Sequence, residues 1–132
     1  MSQENLERVR RIHAEWARGN WQAGADAMTP DVHISWQVPE GSIVAHGIEE
    51  VGPKLRSFHG QWQEFRSEPQ EFVELDNDAV FVVALNQGVG KTSGVSVEAT
   101  CFYIWRFRDG LVVRMHSGFD RDETLEAARL SE

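Results

Sequence analysis

Leu6, Val9, Ile12, His13, Trp16 and Ala17 recur at spacings of three and four, with Glu4, Glu7, Arg8, Arg10, Arg11 and Glu15 mostly between them. That pattern is the stripe of an amphipathic helix, and Gly19-Asn20 closes it as a C-cap signal. Trp21 to Met28 reads as a second short helical piece, with Trp21, Ala25 and Met28 on one side and Thr29-Pro30 stopping it. The period then changes. Val32, Ile34, Trp36 and Val38 alternate with Asp31, His33, Ser35 and Gln37, which predicts a half-buried strand over 31–38. Pro39-Glu40-Gly41-Ser42 reads as a turn and Ile43-Val44-Ala45 as a short strand. Gly47 introduces a third helix over about residues 48–62, with Ile48, Val51, Leu55, Phe58 and Trp62 as its stripe. Pro53 lies within its first two turns, which favours a start one turn later.

Beyond residue 63 the helical period disappears. Phe65 to Leu75 predicts a long strand, and Pro69 within it predicts an edge position or a bulge. Asp76-Asn77-Asp78 has hairpin chemistry, and Ala79 to Gln87 follows as a strand. Gly88 to Gly94 reads as a loop, Val95 to Phe107 as a long strand, Arg108-Asp109-Gly110 as a tight turn and Leu111 to Phe119 as the last strand. Asp120 with Glu123 has the spacing of a capping box and starts a terminal helix, Arg121 to Leu130. Helices segregated from a run of hairpin strands predict an α+β domain, residues 1–132 as one unit, with the helices on one face of a curved sheet.

The last hairpin tests its own register. A three-residue turn with a bulge at Gly110 pairs Phe107 with Leu111, Trp105 with Val113, Tyr103 with Met115, Cys101 with Ser117 and Ala99 with Phe119. Those residues then form one nearly apolar face, so this register is preferred over a two-residue turn. The opposite face carries Glu98, Thr100, Phe102, Ile104, Arg106, Arg114 and His116, a mixed surface of the kind that packs against a second subunit. In the same register Glu98 and Asp120 face each other there.

The chain has 132 residues, enough to bury a core without staples. Its net charge of −8 gives it no general attraction for phosphate backbone, so nucleic acid is a poor partner. A single cysteine, Cys101, excludes an intrachain disulfide and fits a reducing cytoplasm. No apolar run approaches membrane-spanning length, and no signal peptide is read at the N-terminus. The segment Gly88-Val89-Gly90-Lys91-Thr92 is not a phosphate loop, because position 85 is leucine and a strand follows. His13, His33, His46, His59 and His116 show no metal-ligand spacing, so neither a metal nor an organic cofactor is implied. His13 falls on the border of the first stripe and reads as a core-edge residue.

The inward stripes are unusually aromatic. Trp16, Trp36, Phe58, Trp62, Tyr103, Trp105 and Phe119, together with Met115, either fill a core or line an apolar pocket for a small hydrophobic molecule. Tyr103 stands out, because a buried phenol needs a hydrogen-bond partner and can donate to a substrate oxygen. Asp120, Glu40, His59 and His116 are the candidates to move a proton at the pocket mouth, although Asp120 also suits a helix N-cap.

The segments Trp105-Arg106-Phe107-Arg108-Asp109-Gly110-Leu111-Val112-Val113-Arg114 and Phe119-Asp120-Arg121-Asp122-Glu123-Thr124-Leu125-Glu126-Ala127-Ala128 resemble SnoaL-like proteins. These belong to the cone-shaped superfamily of nuclear transport factor two, ketosteroid isomerase and limonene epoxide hydrolase. The opening, Trp16-Ala17-Arg18-Gly19-Asn20-Trp21 and Met28-Thr29-Pro30-Asp31-Val32, resembles them too. The resemblance implies a curved, mixed, mostly antiparallel sheet wrapped by three N-terminal helices around a conical pocket, and a homodimer through the outer sheet face. It implies an isomerase, cyclase or hydrolase working by acid–base chemistry on a small oxygenated compound. A non-catalytic ligand-binding or dimerisation domain of the same fold is the alternative. The ketosteroid isomerase machinery does not carry over intact. Its general-base aspartate falls on Trp36, its first-helix tyrosine on Ile12, and its second oxyanion donor on Tyr103. Asp120 and His116 lie in the part of the chain that holds the cyclase pair, with His116 on the outward face.

Overall fold

The first stripe becomes α1 (Ser2–Ala17), which buries Val9, Ile12, His13 and Trp16. The computed structural model describes residues 2–38, 41–76 and 78–130, so the turn residues Pro39, Glu40 and Asn77 lie outside it. The expected second helix does not form. Gly24 takes a φ of 99°, and only a single 3-10 turn, Ala25–Ala27, follows it. The segment is tied to α1 instead, because the Trp16 indole N–H donates to the Ala23 carbonyl at 3.3 Å. Met28, expected on that helix, opens strand β1 (Met28–Val38), and β2 is Gly41–His46.

Helix α2 (Ile48–His59) starts at Ile48 and holds Pro53 inside, against the expected later start. Proline at that point removes one intrahelical bond near the helix start, where few bonds precede it. The helix stops at His59, so Trp62 belongs to β3 (Trp62–Asp76) and not to the helix stripe. Strand β4 (Ala79–Gly90) takes in Gly88 to Gly90, read from sequence as loop, by pairing them with Trp62 to Phe65. Strands β5 (Ser96–Arg108) and β6 (Leu111–Gly118) and helix α3 (Arg121–Leu130) complete the chain.

Among the described residues six strands form one sheet, in the order β2-β1-β6-β5-β4-β3. Strand β1 runs parallel to β6, and the other pairs are antiparallel. Pro69 sits on the edge strand β3, where the register slips before Glu71, as its missing N–H predicts.

The last hairpin corrects the expected register. Its turn has two residues, Asp109 (φ 52°) and Gly110 (φ 80°), and this left-handed pair matches the right-handed twist of the strands it joins. Arg108 therefore pairs with Leu111 and Phe107 with Val112. Val113 is then an extra residue, and the register shifts to pair Trp105 with Met115 and Tyr103 with Ser117. Ala99 and Cys101 pair with no β6 residue, which ends at Gly118, before Phe119. The bulge restores the parity that the short turn breaks. Met115 and Ser117 still face inward, Val112 is buried, and Leu111 is 39% exposed.

The helices do not share one face. On the inner face α1 packs against β3 and α2 against β1 and β2, over a core of Val9, Ile34, Val80, Val82, Trp105 and their neighbours. On the other face Phe81 and Ile104 form a second cluster with Phe102 and Leu125, under α3. Residues 79–82 are buried on alternating sides and so read as a continuous apolar run. The mixed outer face is thus apolar where α3 covers it and polar beyond. Among the described residues no helix is long and apolar enough to cross a membrane.

Candidate active site

Alternation along the inner face puts a cavity between the helices and the sheet, with the exposed Val97 and Phe119 among its lining residues. Its volume is about 110 Å³. Trp16 comes from α1, Trp36 from β1, Phe58 and His59 from α2, Trp62 and Phe65 from β3. Tyr103, Cys101 and Ala99 come from β5, and Met115 and Ser117 from β6, with Phe119 at the rim. Among the described residues, no carboxylate, lysine or arginine lines it. Trp105, expected here, lies deeper. It is 0% exposed, and its indole N–H donates to His13 Nε2 at 3.1 Å. His13 is likewise a core residue and not a core-edge one, at 0% exposure. The rings of Trp16, Tyr103 and Trp105 enclose it at centroid distances of 4.9, 5.0 and 5.6 Å. Burial alone drives its pKa down to about 3.

The polar end of the cavity is a chain of neutral hydrogen bonds. Ser67 faces Asn86 across β3 and β4, and its hydroxyl donates to Asn86 Oδ1 at 2.6 Å. Asn86 Nδ2 in turn donates to the Tyr103 hydroxyl at 2.9 Å. Tyr103 so accepts a bond and keeps its own proton to donate. Burial pushes its pKa up to about 12, and the bonds from Asn86 and Ser67 only partly oppose this. Cys101 is raised to about 11 for the same reason. Both are neutral near pH 7. Sequence reading missed Asn86 and Ser67. The signal was present in β4, where Asn86 breaks the inward series Val80, Val82, Ala84 with a polar side chain.

His59 ends α2 on the cavity wall. Its ring stacks on Trp21 at 4.5 Å and 22°, and meets Phe58 and Phe65 edge-on at 5.2 and 5.5 Å. Burial lowers its pKa, with the Leu55 carbonyl opposing. Trp21 is a second residue missed, because it was placed on a helix that does not form.

The other proton-transfer candidates lie elsewhere. Asp120 caps α3, with Oδ1 accepting from the Glu123 N–H at 2.9 Å. It does not face Glu98, whose carboxylate takes the Gln87 amide at 2.6 Å. His116 is on the outer face, with Nδ1 2.7 Å from Ser35 Oγ. Glu40 falls outside the described residues. No group of three His, Cys, Asp or Glu side chains among the described residues is placed to hold a metal.

Gly88 is a buried position on the cavity wall, under Trp62. A Cβ there would sit 2.6 Å from the Trp62 ring, so the indole lies flat over the strand only because position 88 has no side chain. Gly88→Ala should displace Trp62 and lower stability by about 1–3 kcal/mol. Denaturant unfolding and a changed tryptophan emission would read both effects, and an unchanged spectrum and midpoint would refute the packing argument.

Residues 9–115 match the family model of the SnoaL-like domain. The chain belongs to the SnoaL-like family. The structure is similar to an NTF2-like protein of unknown function from Burkholderia pseudomallei, with 27% identity and a TM-score of 0.74 over 96% of each chain. An NTF2-like protein from Burkholderia thailandensis aligns over 97% of each chain with a TM-score of 0.77 at 19% identity. TerC, co-crystallised with polyporic acid, has a TM-score of 0.70 at 24% identity, covering 93% of this chain and 96% of its own. The last two likenesses concern the fold alone. No curated protein matches this SnoaL-like chain.

Proposed function

We propose that this SnoaL-like protein is an enzyme that moves a proton on a small, uncharged, oxygen-bearing compound held in the aromatic cavity. The reaction class is isomerisation or cyclisation beside a carbonyl. One observation carries the reading: a neutral imidazole, His59, and a neutral phenol, Tyr103, are on the wall of the same cavity. Tyr103 donates to the substrate oxygen as negative charge develops there, and the Ser67–Asn86 chain polarises and orients it. His59 accepts the proton. The imidazolium it becomes lies on the Trp21 ring face, which favours a cation. The apolar wall excludes water and strengthens both interactions. TerC, which shares the fold, has been co-crystallised with polyporic acid, and this supports looking for a small-molecule ligand here.

The test needs no natural substrate. The native protein should accelerate exchange of the α-protons of 2-tetralone with deuterated solvent, followed by NMR. His59→Ala should lower that rate by about 10²–10⁴-fold, and Tyr103→Phe by about 10²–10³-fold. Because burial lowers the His59 pKa, the rate should rise with pH through a midpoint below the ordinary 6.5 and then level off. Exchange unaffected by His59→Ala refutes the assignment. Binding of 2-tetralone with no exchange would favour the non-catalytic ligand-binding alternative.

A further inference from the structure

The outer face of β1, β2 and β6, on the far side of the sheet from the cavity, carries a second cluster of chemical groups. His33 pairs with His46 on β2 and with Arg114 on β6, and Ser35 pairs with His116 on β6. His33, Arg114, Ser35 and His116 therefore mark the corners of a patch roughly 5 Å across the strands and 7 Å along them. Arg114 Nη1 is 3.2 Å from His33 Nδ1, and the His33 and His46 rings meet at 4.4 Å. A guanidinium can only donate, so His33 Nδ1 accepts and its proton lies on Nε2. That tautomer gives no lone pair to a metal at Nε2, which argues against a two-histidine metal site, but it supplies an N–H to an anion.

The half-buried Arg114 makes no ion pair with a carboxylate among the described residues, in a chain whose net charge is −8. Its neighbours are bases. Arg106 lies opposite it on β5, with interactions of its own. Glu50 on α2 is engaged by the His46 N–H at 2.9 Å and by Lys54 at 3.6 Å. Asp31, two residues before His33, is exposed. A guanidinium out of bulk water favours an anionic partner, and its planar fork matches a tetrahedral oxyanion.

We propose that this patch is a phosphate-binding site, with Arg114 as the anchor and the His33 and His116 imidazoles as donors. The ligand is inorganic phosphate or a phosphate monoester. Burial and the Arg114 charge hold both imidazoles below their ordinary pKa, so they are mostly neutral at pH 7. A bound dianion reverses that field: His33 takes up a proton at Nδ1 as Arg114 turns its N–H groups from that nitrogen to the ligand, and His116 takes up a proton as well. Binding therefore strengthens as pH falls from 8 to 6. The proposal is independent of the cavity chemistry.

The probes are inorganic phosphate and phenyl phosphate, titrated into the full chain at constant ionic strength while the imidazole proton resonances are followed by NMR. Saturable shifts of His33 and His116, at least tenfold tighter binding at pH 6 than at pH 8, and at least tenfold weaker binding in Arg114→Gln are expected. Arg114→Lys keeps the charge without the fork and should fall between, which separates recognition from loss of folding. Phenyl phosphate binding as well as phosphate assigns the site to monoesters, and phosphate alone assigns it to the free ion. Shifts equal to those given by chloride, or unchanged in Arg114→Gln, overturn the proposal. So does an absence of shifts, and sedimentation as a dimer in that case gives the face to a second copy.

Discussion

Acidification from pH 6.5 to pH 3 should cost the folded protein on the order of 4–5 kcal/mol through His13 alone, at about 1.4 kcal/mol per pH unit. His13 is enclosed by aromatic rings, and Trp105 donates to its Nε2. A proton at Nε2 would break that bond and leave a charge with no counter-ion. Its folded pKa is therefore lowered to about 3, against 6.5 in the unfolded chain. Above pH 6.5 neither state binds the proton and the stability is whole. As pH falls below 6.5, the unfolded chain takes up the proton first and gains, so stability drains until pH reaches the folded value. Carboxylates also titrate in this window, and His13→Gln isolates the imidazole share. Urea unfolding of both proteins at pH 7, 5.5 and 4.5 measures the two slopes. The variant starts less stable and should lose markedly less on acidification. Parallel slopes would show that His13 does not carry the effect.

Trp105→Ala is the substitution expected to do most damage. Trp105 is fully buried at the centre of the inner core, against Trp16 at 5.6 Å and His13 at the same distance. Its removal leaves a cavity the size of an indole and deprives His13 of its hydrogen-bond donor. The loss should be about 3–5 kcal/mol, which for a domain of this size is a fall in Tm of roughly 10–20 °C. Trp105→Phe fills much of the space but loses the N–H, and should give up about 1–2 kcal/mol. Calorimetry of the two variants orders them. A Tm within a degree or two of native for Trp105→Ala would mean that the residue is not at the core. The native 2-tetralone exchange rate retained by Trp105→Phe would agree with its place outside the cavity.

Most of the elements are legible in local pattern. The 3-4 spacing from Leu6 to Trp16 could only be a helix with one buried face, and the alternation from Val32 to Val38 could only be a half-buried strand. Asp120 with Glu123 marks the start of the last helix to the residue, because a cap is a contact between near neighbours. The second helix failed where one glycine at positive φ outweighs weak periodicity over a few residues. The hairpin register failed because turn length and face parity pointed to different answers, and one extra residue, Val113, satisfied both.

The α+β class, the apolar inner stripes and the buried tyrosine among aromatics were determined by sequence alone, since each rests on spacing within a segment. Only the tertiary structure decided which of those aromatics line space and which fill it. Trp105 and Tyr103 share a strand face two residues apart, yet one is sealed against His13 and the other reaches Asn86 and the cavity. Tertiary structure likewise brought His59 to the cavity wall, took Asp120 from it, and laid α3 over the outer sheet face. Periodicity gives a side chain its face. How deep it lies on that face, and what stands opposite, depend on the curvature of the sheet and the packing of distant segments, which no local pattern contains.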